Sequence, residues 1–397
     1  MKKSFYSADI LLPKKDFEKW SVIACDQYTS EPEYWNKVTE IVGDCASALK
    51  IILPEAYLGD DDNLKIKRVN ENMDEYLSND VFNSYKDTVV YCERTLKSGG
   101  VRKGIIGLID LEDYSYLKGA DSLIRATEET VLERIPPRVN IRKDAIIEIP
   151  HVMLLIDDPE CTVIEPLSDS TASFEELYNF TLMQNAGSIK GYKLDDKNAE
   201  NVNSALEVLK NKSNDGLLFA VGDGNHSLAS AKECYNQGTG SRYALVEVVN
   251  IHDSSLEFEP IYRLLFGVDP EKVIDDFVNS CGEDYNEDNA QKFICVYGGN
   301  EKIISVKPTG KLAVATLQTF LDRYIKENPE IKIDYIHGIE STKALSNKEN
   351  CLGFIFDGME KSELFPAVAE DGSLPRKTFS MGCADDKRFY LEARKIK

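Results

Sequence analysis

The sequence predicts an α+β protein in which mixed sheets are flanked by helices. Two strand-like runs, at 88–95 and 103–110, close around Ser98-Gly99-Gly100 in the pattern of a hairpin. Apolar residues at helical spacing recur at 63–77, 198–210 and 314–326, between further strand-like runs. A short apolar run at 217–221 breaks into a polar, glycine-bearing loop and then a helix, so at least one strand feeds directly into a helix.

Taken in order, Ser21-Val22-Ile23-Ala24-Cys25 is strand-like and ends at Asp26, where a carboxylate serves either a metal or an ordinary solvated turn. Ser30-Glu31-Pro32-Glu33 opens a helix, with proline in the first turn and acids near the positive end. In the next helix Ile66, Val69, Met73 and Leu77 share one face. After the hairpin, Ile124-Arg125-Ala126-Thr127-Glu128-Glu129-Thr130 leads to Pro136-Pro137. The prolines argue against a continuous helix, and an extended chain beyond them places Arg138, Asn140 and Arg142 on one face. Arginine meets phosphate or carboxylate with two donors, so that face suits an anion; surface ion pairs with the abundant acids are the competing reading. Residues 151–156 form a buried strand ending in acids, and Val202, Leu206 and Leu209 line the helix that follows. Further strands are expected at 242–250, 292–297, 352–356 and 374–381. With no repeat or low-complexity linker to mark a boundary, the chain is divided into regions 1–265 and 266–397.

A net charge of −21 repels polyanions, which opposes nucleic acid and anionic membrane surfaces and favours small-molecule chemistry. Nine scattered cysteines without a C-x-x-C give neither a disulfide nor a zinc framework and suit a reducing cytoplasm. The first residues do not resemble a signal peptide, and no apolar run approaches the length of a membrane span. A cytoplasmic protein is therefore expected, and a homodimer is compatible with the sequence.

The candidate site is Gly222-Asp223-Gly224-Asn225-His226-Ser227. Two glycines within three residues permit positive φ or close backbone approach, and Asp, Asn and Ser are helix-capping residues. A helix starting here aims its free amides and positive dipole end at the loop, with His226 beside them. The same dipeptides also occur in ordinary turns.

Several segments together resemble a bacterial family catalogued as a domain of unknown function, number one thousand and fifteen. Gly222-Asp223-Gly224-Asn225-His226 stands where that family reads D-G-H-H-R, and Ile124-Arg125-Ala126-Thr127-Glu128-Glu129-Thr130 where it reads I-x-P-H-E-x-T. Ile156-Asp157-Asp158-Pro159, Glu259-Pro260-Ile261-Tyr262-Arg263 and Leu374-Pro375-Arg376-Lys377-Thr378 match further on, in the same order. The D-G-H-H-R signature is also similar to the phosphate loop of the ParB and sulfiredoxin fold, a group that includes free serine kinases.

The resemblance implies a ParB/sulfiredoxin-like core and a kinase that transfers phosphate from ATP or ADP to a hydroxyl, with free L-serine as acceptor and Mg²⁺ as cofactor. It makes Glu128 the base and places Asp223 and His226 at the reacting phosphate, with Gly222, Gly224, Asn225 and Ser227 holding it. Asp26 and Asp223 are the metal candidates, and Arg125, Thr127 and Arg263 the substrate candidates. Thr127, Asn225 and Ser227 depart from the family's two histidines and arginine, so Arg138, Arg142, Arg376 or Lys377 is expected to supply the missing charge. The alternatives are a ParB-like regulator that binds nucleotide without transfer, and a phosphatase or nuclease using the same loop.

Overall fold

The computed structural model describes residues 2–59, 61–213, 215–282 and 289–397. The chain forms two compact units, the first comprising Met1–Ala126, Thr130–Leu256 and Gly382–Lys397, the second Thr127–Glu129 and Glu257–Met381. The division thus differs from one at 265/266. Strand Phe258–Phe266 pairs with Lys332–His337 and Cys351–Phe356 of the second unit, whereas the last segment returns to the first. Both differences arise from long-range pairings that leave no local mark in the sequence.

The first unit is built on a nine-stranded mixed sheet. The expected hairpin is there, with Val90–Thr95 antiparallel to Val101–Asp110. Tyr243–Asn250 runs antiparallel to Val101–Asp110 and parallel to Met153–Ile156. Next come Phe219–Asp223, antiparallel to Met153–Ile156, and Ile124–Ala126, parallel to Phe219–Asp223. Side chains alternate between faces along each strand. Ile105, Ile109, Leu154, Val221 and Val246 pack under helices Asp196–Lys212 and Asn225–Asn236, while Ile106, Leu108 and Leu245 pack with Trp20, Trp35, Val69 and Met73.

That alternation sends Glu247 into the second of these cores, where it is 4% exposed. A lone carboxylate there would be costly; Arg388 Nε meets it at 2.7 Å and Arg102 Nε stands 3.8 Å away. The two guanidinium groups hold its pKa below the usual carboxylate range against the opposing effect of burial. Gly104 makes room for this acid, since a Cβ there would lie 2.7 Å from Glu247 Oε1.

In the first unit the segment after Arg134 departs from expectation. Ile135–Arg142 is an α-helix, with Pro136 and Pro137 in its first turn, where a missing N–H costs no intrahelical hydrogen bond. The arginines therefore follow helical rather than strand spacing, so Arg138 and Arg142 do not share a strand face with Asn140.

In the second unit, Asn300–Val306, Gln291–Tyr297, Cys351–Phe356, Phe258–Phe266 and Lys332–His337 make an antiparallel sheet in that order. The strand expected over 374–381 is confined to Phe379–Met381. Lys377 just before it takes a left-handed φ of 54°, which breaks the extended run.

Removing one partner of a buried ion pair leaves the other charge uncompensated, at a cost of about 3–5 kcal/mol. Arg388→Leu should therefore lower the urea midpoint by an amount equivalent to several kcal/mol, and a shift under about 1 kcal/mol would show that Glu247 does not depend on it.

Candidate phosphate-binding loop

Strand Phe219–Asp223 ends in the glycine loop, and helix Asn225–Asn236 begins at once. The reversal rests on Gly224, at φ 81°, where a Cβ would lie 3.0 Å from Val152 Cα. A side chain is excluded there both by the left-handed backbone and by the close approach of the neighbouring chain.

The expected side-chain cap is not made. Asp223 Oδ1 accepts the Gly224 N–H at 2.9 Å, and the first intrahelical bond runs from Leu228 N–H to Gly224 O at 3.0 Å. Helix geometry then leaves the amides of Asn225, His226 and Ser227 without intrahelical acceptors. Three buried side-chain atoms in the same stretch also have no hydrogen-bond partner among the described residues: Asp223 Oδ2, Asn225 Oδ1 and His226 Nε2. Buried polar atoms are nearly always satisfied by protein or by ordered water, so three within four residues leave hydrogen-bonding capacity that water or a ligand can fill.

The electrostatics fit an anion. Burial pushes the His226 pKa from 6.5 down to about 4, and Arg138 and Arg134 push the same way, with Asp26 opposing. His226 is consequently a neutral imidazole near pH 7. It can donate one N–H to a phosphate oxygen but brings no positive charge of its own.

Of the cations expected at the site, Arg138 acts on His226 but pairs with Glu55 and donates to Arg134 O at 3.0 Å. Arg142 pairs with the buried Glu148 and has a structural role. Arg125 is 5% exposed, bonded to Asp215 Oδ2 at 2.7 Å and to the Ser122 and Asp215 carbonyls, so its fork ties a loop down instead of facing a substrate. Two cations near the loop were not foreseen. Arg134 acts on His226, and Lys387 Nζ lies 3.8 Å from Asp223 Oδ2. The positions of both relative to the loop depend on tertiary packing, so the linear pattern could not single them out.

Thr127, Glu128 and Glu129 belong to the second unit, where Leu374 N–H donates to Thr127 O at 2.6 Å and Glu128 bridges Leu374. Arg263 in that unit is fully enclosed, donating to Gln318 Oε1 at 2.8 Å and to the carbonyls of Ile261, Lys377 and Arg376. It therefore fixes the turn carrying Arg376 and Lys377, and the substrate contact expected of it is replaced by this internal role. Arg376 and Lys377 are exposed, and both cations sit over the Tyr335 ring, at 5.9 and 5.1 Å.

Among the described residues no group of three or more His, Cys, Asp or Glu is arranged to hold a metal ion. The loop nevertheless fits a hard cation carried in with a phosphate. Mg²⁺ uses one or two carboxylates and completes its shell with phosphate and water, and among the described residues Asp223 Oδ2 and Asn225 Oδ1 are oxygens that accept no hydrogen bond.

The His226 imidazole should stay neutral down to about pH 4 in an NMR titration of the folded protein. The unfolded chain takes up this proton first, near pH 6.5, so this group's contribution to stability is complete above that value and declines as pH falls toward 4. A measured value of 6 or higher would contradict the enclosed, cation-flanked position.

The chain resembles a conserved hypothetical protein from Pyrococcus furiosus, at 14% identity and a TM-score of 0.39, covering 74% of this chain and 95% of that one. It also resembles a free serine kinase variant in complex with AMP, at 12% identity and a TM-score of 0.42, covering 72% and 91%. Another variant of a free serine kinase, in complex with ADP, matches at 10% and 0.41, covering 72% and 91%. No curated protein matches the sequence. At these identities and scores, function has to be argued from the chain's own site. The model of the family described as "Protein of unknown function (DUF1015)" matches residues 7–324, and the chain belongs to that family.

Proposed function

We propose that the protein is a nucleotide-dependent phosphotransferase of the small-molecule kinase type, moving a phosphoryl group from ATP or ADP to a hydroxyl, with free L-serine as the acceptor. The observation that carries this reading is the set of buried atoms on Asp223, Asn225 and His226 that make no hydrogen bond, around an uncapped helix start. Uncapped amides, the positive end of a twelve-residue helix and nearby guanidinium groups are what phosphate oxygens need. The net charge of −21 makes a polyanionic partner a poor fit and leaves a small phosphate ester as the natural occupant.

Phosphoryl transfer requires little covalent work from the protein. The chain must hold the phosphate, orient an acceptor hydroxyl and accept its proton. In this reading the amides of Asn225, His226 and Ser227 hold the phosphate oxygens, and the neutral His226 adds a donor. Asp223, with Asp26, would hold Mg²⁺, which spreads the phosphate charge when bound. Glu128 takes the role the family resemblance gives it, as acceptor of the hydroxyl proton.

Phosphorus NMR of the protein with Mg²⁺, ATP or ADP and L-serine should show O-phosphoserine. Glu128→Gln should cut turnover by about a hundredfold or more while nucleotide still binds, and His226→Ala should also lower turnover by about a hundredfold. Nucleotide bound with no transfer to any acceptor would instead identify a regulatory binding protein, and inorganic phosphate as sole product a phosphatase. Full activity in both variants would overturn the residue assignments.

A further inference from the structure

Lys387 lies outside the family-matched stretch, on a segment that returns to the first unit from the far end of the chain. Its backbone is held from both sides. Arg94, 2% exposed, donates to the carbonyls of Lys387 and, at 2.6 Å, Asp385. Arg102, 3% exposed, donates to Asp386 O at 2.8 Å. The next residue, Arg388, is locked to Glu247 at 2.7 Å and Glu392 at 2.8 Å, and it also donates to the carbonyl of Pro150, two residues before the Val152 that crowds Gly224. Three buried arginines thus fix the main chain around one lysine. Burying guanidinium groups to hold carbonyls is expensive, and the result is a cation whose starting point cannot drift.

The side chain on this mount is only 16% exposed, and its ammonium lies 3.8 Å from Asp223 Oδ2. That is within ion-pair range but too long for a hydrogen bond. Among the described residues the ammonium donates no hydrogen bond, and Asp223 Oδ2 accepts none. Three strong donors are held at the edge of the phosphate loop, paired only by charge. Without them, the Asp223 carboxylate would repel an anion approaching the neighbouring amides.

We infer that Lys387 is the phosphate-binding cation of the loop, donating directly to a phosphate oxygen and taking the place of the arginine that the loop lacks after His226. This rests on the phosphate-loop reading above.

The test is calorimetric titration of the full chain with inorganic pyrophosphate and with ADP. Lys387→Met should weaken both by about ten- to a hundredfold, the loss of one charge-assisted contact, and Lys387→Arg should recover part of it. The double variant Asp223→Asn with Lys387→Met should not regain wild-type affinity. If it does, or if Lys387→Met binds as wild type does, the lysine acts only on Asp223 and the direct contact is overturned. If the wild type binds neither probe, the phosphate-loop reading itself fails. A measurement on the wild type needs no variant to fold: pyrophosphate should protect Lys387, but not the exposed Lys67, from acylation read by mass spectrometry. Equal labelling with and without a pyrophosphate shown to bind would also overturn the contact.

Discussion

The left-handed turn at Gly224 is the constraint on which the site depends. A strand paired with Met153–Ile156 has to become a helix within one residue, and only a residue free at φ 81° with no Cβ beside Val152 allows it. That reversal places the free amides of the helix at the end of the strand. Because Asp223 turns back onto Gly224 instead of capping the helix, those amides stay available. A conventional cap would have stabilised the helix by about 1 kcal/mol and closed the anion site. The loop gives up local satisfaction, as binding loops commonly do.

A second constraint supports the first. The buried Glu247 requires arginine partners, and one of these, Arg388, comes from the last residues of the chain. The same pairing brings the C-terminal segment back into the first unit, where Phe389 and Tyr390 pair with Ile23 and Val22 and Ala393 bridges Leu11. An acid in the sheet is thus tied, through Arg388, to the segment that carries Lys387, whose ammonium lies 3.8 Å from Asp223. Stability and electrostatics are coupled through one network. The family match ends at residue 324, so the lysine belongs to a part of the chain that the match does not describe.

Much of the fold was legible because it is written in local periodicity. The hairpin, the helices Asp62–Ser78 and Asp196–Lys212, and the strand and helix flanking Gly224 all announce themselves by apolar spacing and turn residues. The helix over Ile135–Arg142 was hidden because paired prolines read as a break, although in a first turn they are compatible with a helix. The arginines could be found in the sequence but their partners could not. Glu55, Glu148 and Asp215 are placed against Arg138, Arg142 and Arg125 only by tertiary packing. The glycine loop was visible as a pattern, while its defining property, several polar atoms left without hydrogen bonds, appears only once every other donor and acceptor has been placed.

Phosphotransfer at this site requires that the loop after Val221 receive a phosphate. The most direct measurement is amide NMR of the intact protein titrated with inorganic pyrophosphate. Saturable shifts are expected, concentrated at the backbone amides of Asn225, His226 and Ser227 and at the His226 ring. Saturable binding that leaves those signals unmoved, with the shifts falling elsewhere in the chain, would contradict phosphate binding at the loop.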